Sequence, residues 1–340
     1  MGKSSEPGFA ENELLFLAEV ARLYYIEDLT QEQIAQRVGG SRSNVSRMLK
    51  EARDRGLVEI RINSPLRTVP GLQEELKARL GLRDCLVLDS GGGTRDLDVA
   101  DTRGRIGALT MRYLQETITD GSVVGVGWSR TVYNGVDERY LRKKRDVTVV
   151  QMMGSVGGSI PQLDGISITA RLAGALGARA HYLHAPMLVA DATVRNGLLR
   201  DRNIWRTLKA ARQADIIIIG VGAIDRDHGQ YLTGYLDDND LEYIRRSGAV
   251  GDSCGAYFAR DGSHIPLEMN ERSIATEYED LIRIPKRICA SFGPNKALAN
   301  VGAVRSKLIN TLITDEPTAV DMLNLLGEET NLVATEASTS

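Results

Sequence analysis

Side chains of the types that read DNA occur close together near the N-terminus of the chain, at Arg42, Ser43, Asn44, Arg47 and Lys50. Arginine forms paired hydrogen bonds with guanine and asparagine with adenine, whereas serine and lysine contact phosphates or bases. Residues 37–55 carry six Lys or Arg and two Asp or Glu, whereas residues 1–36 carry two and seven. This local concentration of positive charge predicts a surface that contacts double-stranded DNA.

A second group of polar residues lies in the glycine-rich segment 123–131, which reads VVGVGWSRT. The pattern predicts a strand, a glycine turn and the start of a helix, with Ser129, Arg130 and Thr131 beside free backbone amides. Amides at a helix N-terminus together with a guanidinium suit a phosphate or a carboxylate. The alternative interpretation is a tight strand-to-helix turn with an exposed arginine, and the residues alone leave both open.

Three helices are predicted to position the DNA-reading residues. Apolar spacing predicts the first over residues 12–26. Thr30 and Gln33 form a capping-box pattern, which predicts that a second helix begins there and covers residues 31–38. A glycine pair then ends the second helix, and Ser41 can cap a third that runs to about residue 55. The apolar residues of this third helix share one face, so that the DNA-reading residues lie on the opposite, exposed face; the apolar set is Val45, Met48, Leu49 and Ala52.

Two helices joined by a glycine turn, with a polar and basic second helix, are typical of the DNA-binding helix-turn-helix. Residues 57–62 alternate apolar and charged side chains, which predicts the small β-wing of a winged helix. Any three-helix bundle also has a solvated, charged outer face. The caps, the turn and the basic face occur here in the order that DNA binding requires, and we therefore predict a DNA-binding domain over residues 1–62.

The rest of the chain has an α/β pattern. Residues 63–70 contain two prolines and no periodicity, which predicts a linker. Beyond it, apolar segments alternate with helical stretches such as 98–117 and 166–176, and this alternation predicts a doubly wound, mainly parallel sheet covered on both faces. The predicted strands are 85–88, 123–126, 147–152, 216–219, 288–290 and 311–313. Ligands of such sheets bind at the carboxyl ends of the strands, which here include several glycine-rich loops.

Five sequence blocks resemble the SorC-type family of sugar-sensing bacterial regulators, and the resemblance runs from about residue 14 to residue 326. The blocks are LTQEQIA at 29–35, VSRMLKEARDRGLV at 45–58, VGVGWSRT at 124–131, GDSCG at 251–255 and LITDE at 312–316. The resemblance implies an effector domain, residues 71–326, with a fold like that of sugar-phosphate isomerases, deaminases and CoA transferases. It also implies assembly through that domain into homodimers or homotetramers.

The resemblance also implies an effector site. In family members that bind phosphorylated sugars, the loop that matches Trp128, Ser129, Arg130 and Thr131, which follows Gly127, holds the phosphate. A lysine that matches Lys296 contacts the ligand, an acidic residue that matches Asp252 takes sugar hydroxyls, and Asp164 is a further candidate by position. Some phosphate binders have small residues where this chain has bulky Trp128 and charged Arg130, so a free sugar, a polyol or another small acid remains an alternative effector.

An enzyme of the isomerase or deaminase class with an added DNA-binding domain is the alternative function. General acid–base catalysis on a sugar needs a placed carboxylate or histidine, and the four histidines form no recognisable catalytic pattern with Asp or Glu. Lys296 could form a Schiff base with an aldehyde sugar, although pairing with a phosphate is the preferred role. The sequence therefore predicts a transcriptional regulator of a carbohydrate operon, without catalytic residues, metal or cofactor.

Composition limits the remaining classes of protein. A formal net charge of -3 argues against binding nucleic acid by bulk charge. The three cysteines have no zinc or disulfide spacing, and no apolar run is long enough for a membrane span, so we expect a cytoplasmic protein. Residues 327–340 are mostly small or polar without periodicity, which predicts a disordered tail.

Overall fold

The computed structural model describes residues 7–58, 66–91, 99–156, 160 and 164–338. The chain forms two compact units, Met1–Ser64 and Pro65–Ser340. The division falls inside the segment that the sequence predicts as a linker. No helix in the described part of the chain combines the length and the apolar character that crossing a membrane requires.

The N-terminal unit contains the three predicted helices, α1 (Pro7–Tyr25), α2 (Gln31–Val38) and α3 (Arg42–Asp54). Apolar side chains from all three helices form a small buried core, which includes Val20, Leu23, Ile34, Val45 and Leu49. The predicted β-wing falls mostly on residues 59–62, which lie outside the described residues. The helix-turn-helix prediction is confirmed over the described range.

The second unit is built on a seven-stranded sheet in the order β1-β10-β9-β5-β2-β3-β4. Every neighbouring pair in this sheet is parallel. The strands are β1 (Asp84–Leu88), β2 (Val123–Val126), β3 (Thr148–Gln151), β4 (Arg179–His181), β5 (Ile216–Ile219), β9 (Lys286–Ala290) and β10 (Thr311–Asp315), whereas β6 (Gly222–Ala223), β7 (Ala249–Ser253) and β8 (Ala256–Ala259) form a separate antiparallel sheet.

Helices cover both faces of the large sheet, as the four consecutive isoleucines of β5 show. Ile217 and Ile219 pack into one buried core, whereas Ile216 and Ile218 pack into another. Successive side chains of a strand point to opposite faces, so each face has its own core, as the doubly wound prediction requires. The helices are α4 (Pro70–Leu80), α5 (Val99–Thr117), α6 (Arg130–Gly135), α7 (Gly165–Leu176), α8 (Ala192–Leu198), α9 (Arg202–Arg212), α10 (Gly229–Leu232), α11 (Asp238–Arg246), α12 (Glu268–Glu271), α13 (Tyr278–Leu281), α14 (Ala297–Arg305) and α15 (Glu316–Ser338).

No pattern in the sequence indicates the small sheet. Residues 248–255 are rich in glycine and contain strand β7 and the turn that joins it to β8. Cys254 and Gly255 form this two-residue turn with positive φ angles of 54° and 79°. Turns of this kind match the twist of a hairpin, which is why the chain can reverse here within two residues.

The prediction of a disordered tail from residue 327 is wrong over the described residues, because α15 continues to Ser338. Its Glu329 carboxylate forms ion pairs with Arg305 at 2.6 Å and with Arg260 at 2.8 Å. These contacts attach α15 to the body of the unit at Glu329. The attachment is electrostatic, so it leaves no apolar periodicity in the sequence.

Candidate functional site

Local hydrogen bonds determine where α2 and α3 begin. The Thr30 hydroxyl accepts a hydrogen bond from the Gln33 amide at 3.3 Å, and the Gln33 side chain accepts one from the Thr30 amide at 2.9 Å, which completes the predicted capping box. Gly39 ends α2 with a positive φ of 72°. The Ser41 hydroxyl then accepts a hydrogen bond from the Asn44 amide at 3.2 Å and caps α3. The turn between α2 and α3 is therefore determined by residues that are close together in the sequence.

The candidate DNA-binding residues lie on the exposed side of α3. Arg42, Ser43, Arg47 and Lys50 are exposed and Asn44 is half-buried. The Arg47 guanidinium donates a hydrogen bond to the Asn44 side-chain oxygen at 2.7 Å, so the two side chains that are predicted to read bases are held together. Arg42 and Lys50 make no ion pair with any residue that the structure describes. This side of the helix therefore has positive charge available for a phosphate backbone.

A cavity of about 290 Å³ opens where β2, β5 and β9 of the large sheet end and the β7–β8 hairpin approaches them. Six of the eight predicted effector residues line it: Trp128, Ser129, Arg130, Thr131, Asp252 and Lys296. Ser129 caps α6 by accepting a hydrogen bond from the Val132 amide at 3.2 Å, and this cap begins the helix that carries Arg130 and Thr131. The residues come from distant parts of the chain because parallel strands end at one edge of a sheet.

The other two predicted residues are not in the lining of this cavity. Gly127 lies beneath it, where a Cβ atom would come within 2.8 Å of the Cys254 sulfur, so only glycine fits between β2 and the hairpin. Asp164 caps α7 through a hydrogen bond from the Ser167 amide at 3.3 Å. The cap uses one carboxylate oxygen of Asp164. The other oxygen is buried and has no hydrogen-bond partner among the described residues.

Trp128 both packs against the core of the second unit and lines the cavity. Its ring is partly buried against the core of the second unit, its indole N–H donates a hydrogen bond to the Gly154 carbonyl at 3.1 Å, and it also lines the cavity. The ring is fixed by these contacts and presents an apolar wall, of the kind against which a sugar can stack, to the interior of the cavity.

The sequence analysis missed Arg103, Asp227 and His228, which also line the cavity. Arg103 lies on α5 and its guanidinium sits over the Phe292 ring, 5.6 Å from the centroid. Helix α5 comes before the glycine-rich segment in the chain. Arg103 lies near Arg130 only because α5 packs closely against α6. No local motif in the sequence marks it.

Three cationic side chains, Arg103, Arg130 and Lys296, line the cavity. Burial lowers the pKa of Lys296; Asp225 and Asp252 partly offset this shift, and the smaller effects of Arg130, which lowers the pKa, and Asp227, which raises it, follow. Burial and the charge of Arg130 also lower the pKa of Arg103. Three cationic side chains therefore share a partly dehydrated space in which they repel one another, and a bound anion would relieve that repulsion.

Two acidic side chains also line the cavity, Asp227 and Asp252. Asp252 is buried and accepts a hydrogen bond from the His228 ring at 2.8 Å and from the Gly255 amide at 3.0 Å. His228 and Asp252 are 24 positions apart in the chain, and no local sequence pattern indicates this pair. Burial raises the pKa of the Cys254 thiol to about 12, so this neighbouring group is no nucleophile at neutral pH.

Comparison with known proteins agrees with this arrangement. Residues 65–324 match the family described as "Putative sugar-binding domain", and residues 13–74 match the Crp-like helix-turn-helix domain. The chain is 31% identical to the deoxyribonucleoside regulator of Bacillus subtilis, over 90% of this chain and 96% of that protein. It is 26% identical to the sorbitol operon regulator of Klebsiella pneumoniae, over 91% and 97%.

Solved structures show the same fold. The full-length sorbitol operon regulator SorC of Klebsiella pneumoniae has a TM-score of 0.67 and 24% identity, and the match covers 93% of this chain and 99% of that one. A domain of a transcriptional repressor from Vibrio fischeri has a TM-score of 0.68 and 27% identity, with 76% of this chain and all 100% of that one covered.

The fold, the two sites and these relatives define a transcriptional regulator with a DNA-binding helix-turn-helix domain and a sugar-binding domain. The chain belongs to the SorC-type family of regulators, as its sequence blocks predict. These relatives are named as regulators, and the alternative of an isomerase- or deaminase-like enzyme is not supported.

Proposed function

We propose that this regulator controls a carbohydrate operon and that its effector is an anionic sugar, a sugar phosphate or a sugar acid, which binds in the cavity. The convergence of Arg103, Arg130 and Lys296 is the observation that carries this proposal. A neutral sugar or polyol would leave the repulsion among these three cations only partly compensated, by Asp225, Asp227 and Asp252. Charge-assisted hydrogen bonds from arginine to phosphate or carboxylate are among the strongest available to a binding site.

The size and the remaining polar groups of the cavity support a monosaccharide. A volume of about 290 Å³ lies at the lower end of the range for small-molecule sites. The Ser291 hydroxyl lines the cavity and is buried without a hydrogen-bond partner among the described residues. A buried hydroxyl that makes no hydrogen bond lowers the stability of the protein. A polar ligand could supply the missing hydrogen bond.

For DNA, we propose that Arg42, Ser43, Asn44, Arg47 and Lys50 contact the operator, and that Arg47 and Asn44 read bases. A homodimer or homotetramer would place two copies of α3 on a pseudo-palindromic site. The effector would then shift the equilibrium between arrangements that bind the operator and arrangements that do not, by as much as its affinity for the two differs.

The effector proposal is tested by isothermal titration with sorbitol, sorbitol 6-phosphate, ribose, ribose 5-phosphate, gluconate and inorganic phosphate. We expect the anionic sugars to bind and their neutral counterparts to bind at least about tenfold more weakly. Arg103→Met should reduce that preference, because one of the three cations is removed. Arg112→Met is the matched control, because Arg112 lies on the same helix but outside the cavity. Equal binding of sorbitol and sorbitol 6-phosphate would refute the anionic effector.

The DNA proposal is tested by fluorescence anisotropy on DNA from upstream of the gene, with competitor DNA at physiological salt. Arg47→Met should weaken specific binding by about 1–3 kcal/mol if Arg47 reads a base, and it should leave effector titrations unchanged. Arg53→Met, on the last turn of the same helix, is the matched control. An operator affinity equal to that of the control would remove Arg47 from the interface.

A further inference from the structure

His228 and Asp252 form a buried pair at the wall of the cavity. The His228 side chain is 2% exposed and the Asp252 residue 7%. The Gln230 amide donates a hydrogen bond to His228 Nδ1 at 3.3 Å, so this nitrogen carries no proton. The proton is then on Nε2, which lies 2.8 Å from Asp252 Oδ1 and donates to it. The backbone around the ring therefore selects the tautomer that can hold the carboxylate.

The Asp252 carboxylate can accept further hydrogen bonds besides the one from His228. Its Oδ1 accepts from His228 and its Oδ2 accepts from the Gly255 amide at 3.0 Å. A carboxylate has about two acceptor positions on each oxygen, so one position on each oxygen is unused by these bonds. Two adjacent acceptors at fixed positions match two neighbouring hydroxyls of a sugar, and Asp252 lines the cavity.

The strand next to Asp252 leaves room for the His228–Asp252 pair. Gly222 of β6 pairs with Asp252 of β7. A Cβ atom at position 222 would overlap Asp252 Oδ1 and would lie 2.9 Å from the His228 ring. The absence of a side chain at this position is therefore required by the placement of the histidine and the carboxylate.

We infer that His228 is a positioning residue for sugar recognition, which fixes Asp252 as the acceptor for two neighbouring hydroxyls of the effector. This inference rests on the proposed function. It assigns discrimination between a sugar phosphate and its deoxy analogues to the His228–Asp252 pair, whereas the cationic side chains bind the anionic group.

Two substitutions separate this role from a merely structural one. His228 also caps α10 through Nδ1. In His228→Asn the side-chain oxygen can replace Nδ1 and keep the cap, but the side chain is too short to reach Asp252. In His228→Gln the amide nitrogen can take the place of Nε2 and donate to Asp252, but the cap is lost. A role in positioning and a role in capping therefore predict opposite orders for the two variants.

The test is isothermal titration of the full chain with glucose 6-phosphate, ribose 5-phosphate, their 2-deoxy and 3-deoxy analogues, and inorganic phosphate. We expect the wild type to prefer at least one parent sugar over a deoxy analogue by about 10- to 100-fold, the range for a hydrogen bond to a charged group. His228→Asn should reduce that preference towards unity and leave inorganic phosphate binding unchanged. His228→Gln should retain most of the preference.

Three results would overturn the inference. Retained discrimination in His228→Asn with loss in His228→Gln would show a capping role only, and equal behaviour of the variants would exclude positioning. If neither these sugar phosphates nor the anionic sugars of the effector titration bind the wild type, the proposed function fails and the inference fails with it. Should neither variant fold, nitrogen NMR of the histidines in the wild type decides, because a proton on His228 Nδ1 at neutral pH contradicts the arrangement.

Discussion

Glu329→Gln should destabilise the second unit, although the sequence around it has the composition of a tail. The Glu329 carboxylate accepts hydrogen bonds from Arg305 and Arg260, and these guanidinium groups hold the pKa of Glu329 at about 2, against an ordinary value of 4.5. The whole shift corresponds to about 3 kcal/mol at 1.36 kcal/mol per pKa unit. Because the Glu329 and Arg305 side chains are each 29% exposed, solvent screening reduces this to about 1–2 kcal/mol.

The assay is urea unfolding followed by tryptophan fluorescence. Both tryptophans, Trp128 and Trp205, belong to the second unit, so the signal reports that unit alone. With a slope of about 3 kcal/mol/M for a domain of this size, the midpoint should fall by about 0.3–0.7 M. Glu328→Gln is the control, because Glu328 is exposed and makes no ion pair with a described residue.

The pH dependence provides the refutation. A lowered carboxylate pKa contributes stability above the unfolded pKa of about 4.5, and this contribution is lost as the pH falls from there towards 2. The gap between wild type and Glu329→Gln should therefore be full at pH 7 and should narrow below pH 4.5. If Glu329→Gln unfolds at the same urea concentration as Glu328→Gln at pH 7, the end of α15 does not contribute to stability and the reasoning is wrong.

Three further predictions concern the elements that position the sites. Gly107→Ala should cost about 1–3 kcal/mol by overpacking, because its Cβ would lie 2.6 Å from the Gly135 Cα atom between α5 and α6; thermal unfolding measures the cost, and an unchanged midpoint would contradict it. Thr30→Ala removes the capping box with Gln33 and should cost about 1 kcal/mol; faster amide hydrogen exchange in α2 is the expected signal, and Ser46→Ala on exposed α3 surface is the comparison. The pKa of Lys296 is lowered, so this side chain loses its charge at a lower pH than an ordinary lysine. Affinity for an anionic sugar, measured by titration between pH 7 and 10, should therefore decline as the pH rises. Lys296→Arg keeps its charge over this range and should give a flat profile.

Local patterns in the sequence were sufficient for the elements whose cause is local. The bounds of β2 and β5 agree with their predictions, because a strand covered on both faces is a continuous apolar run. The caps at Thr30 and Ser41 involve residues three positions apart, so the start of α2 and of α3 could be identified from the sequence. Ser129, Arg130 and Thr131 could likewise be identified from the glycine-rich segment that contains them, whereas Asp252 and Lys296 were implied only by the family resemblance.

The features that were missed depend on contacts between distant residues. Asp252 lies 24 positions from His228, and the pair forms only because β6 and β7 are adjacent. Strand β7 contains a glycine and an aspartate and lacks apolar alternation, so no periodicity marks it. Glu329 and Arg260 are likewise 69 positions apart. Where a side chain's partner is set by tertiary structure, a single sequence gives no signal for the pair.

The origin of the cavity residues explains why two chemical groups should be needed for tight binding. Arg103, Arg130 and Lys296 come from helices that follow or flank strands of the large sheet, whereas Asp252 belongs to the small sheet. An anion without hydroxyls would compensate the cations and would leave the remaining acceptor positions of Asp252 without a donor. A neutral polyol would satisfy Asp252 and leave the cations repelling one another. A sugar that carries an anionic group compensates both sets at once, and binding that requires both sets distinguishes it from inorganic phosphate and from free sugars more strongly than either set could alone.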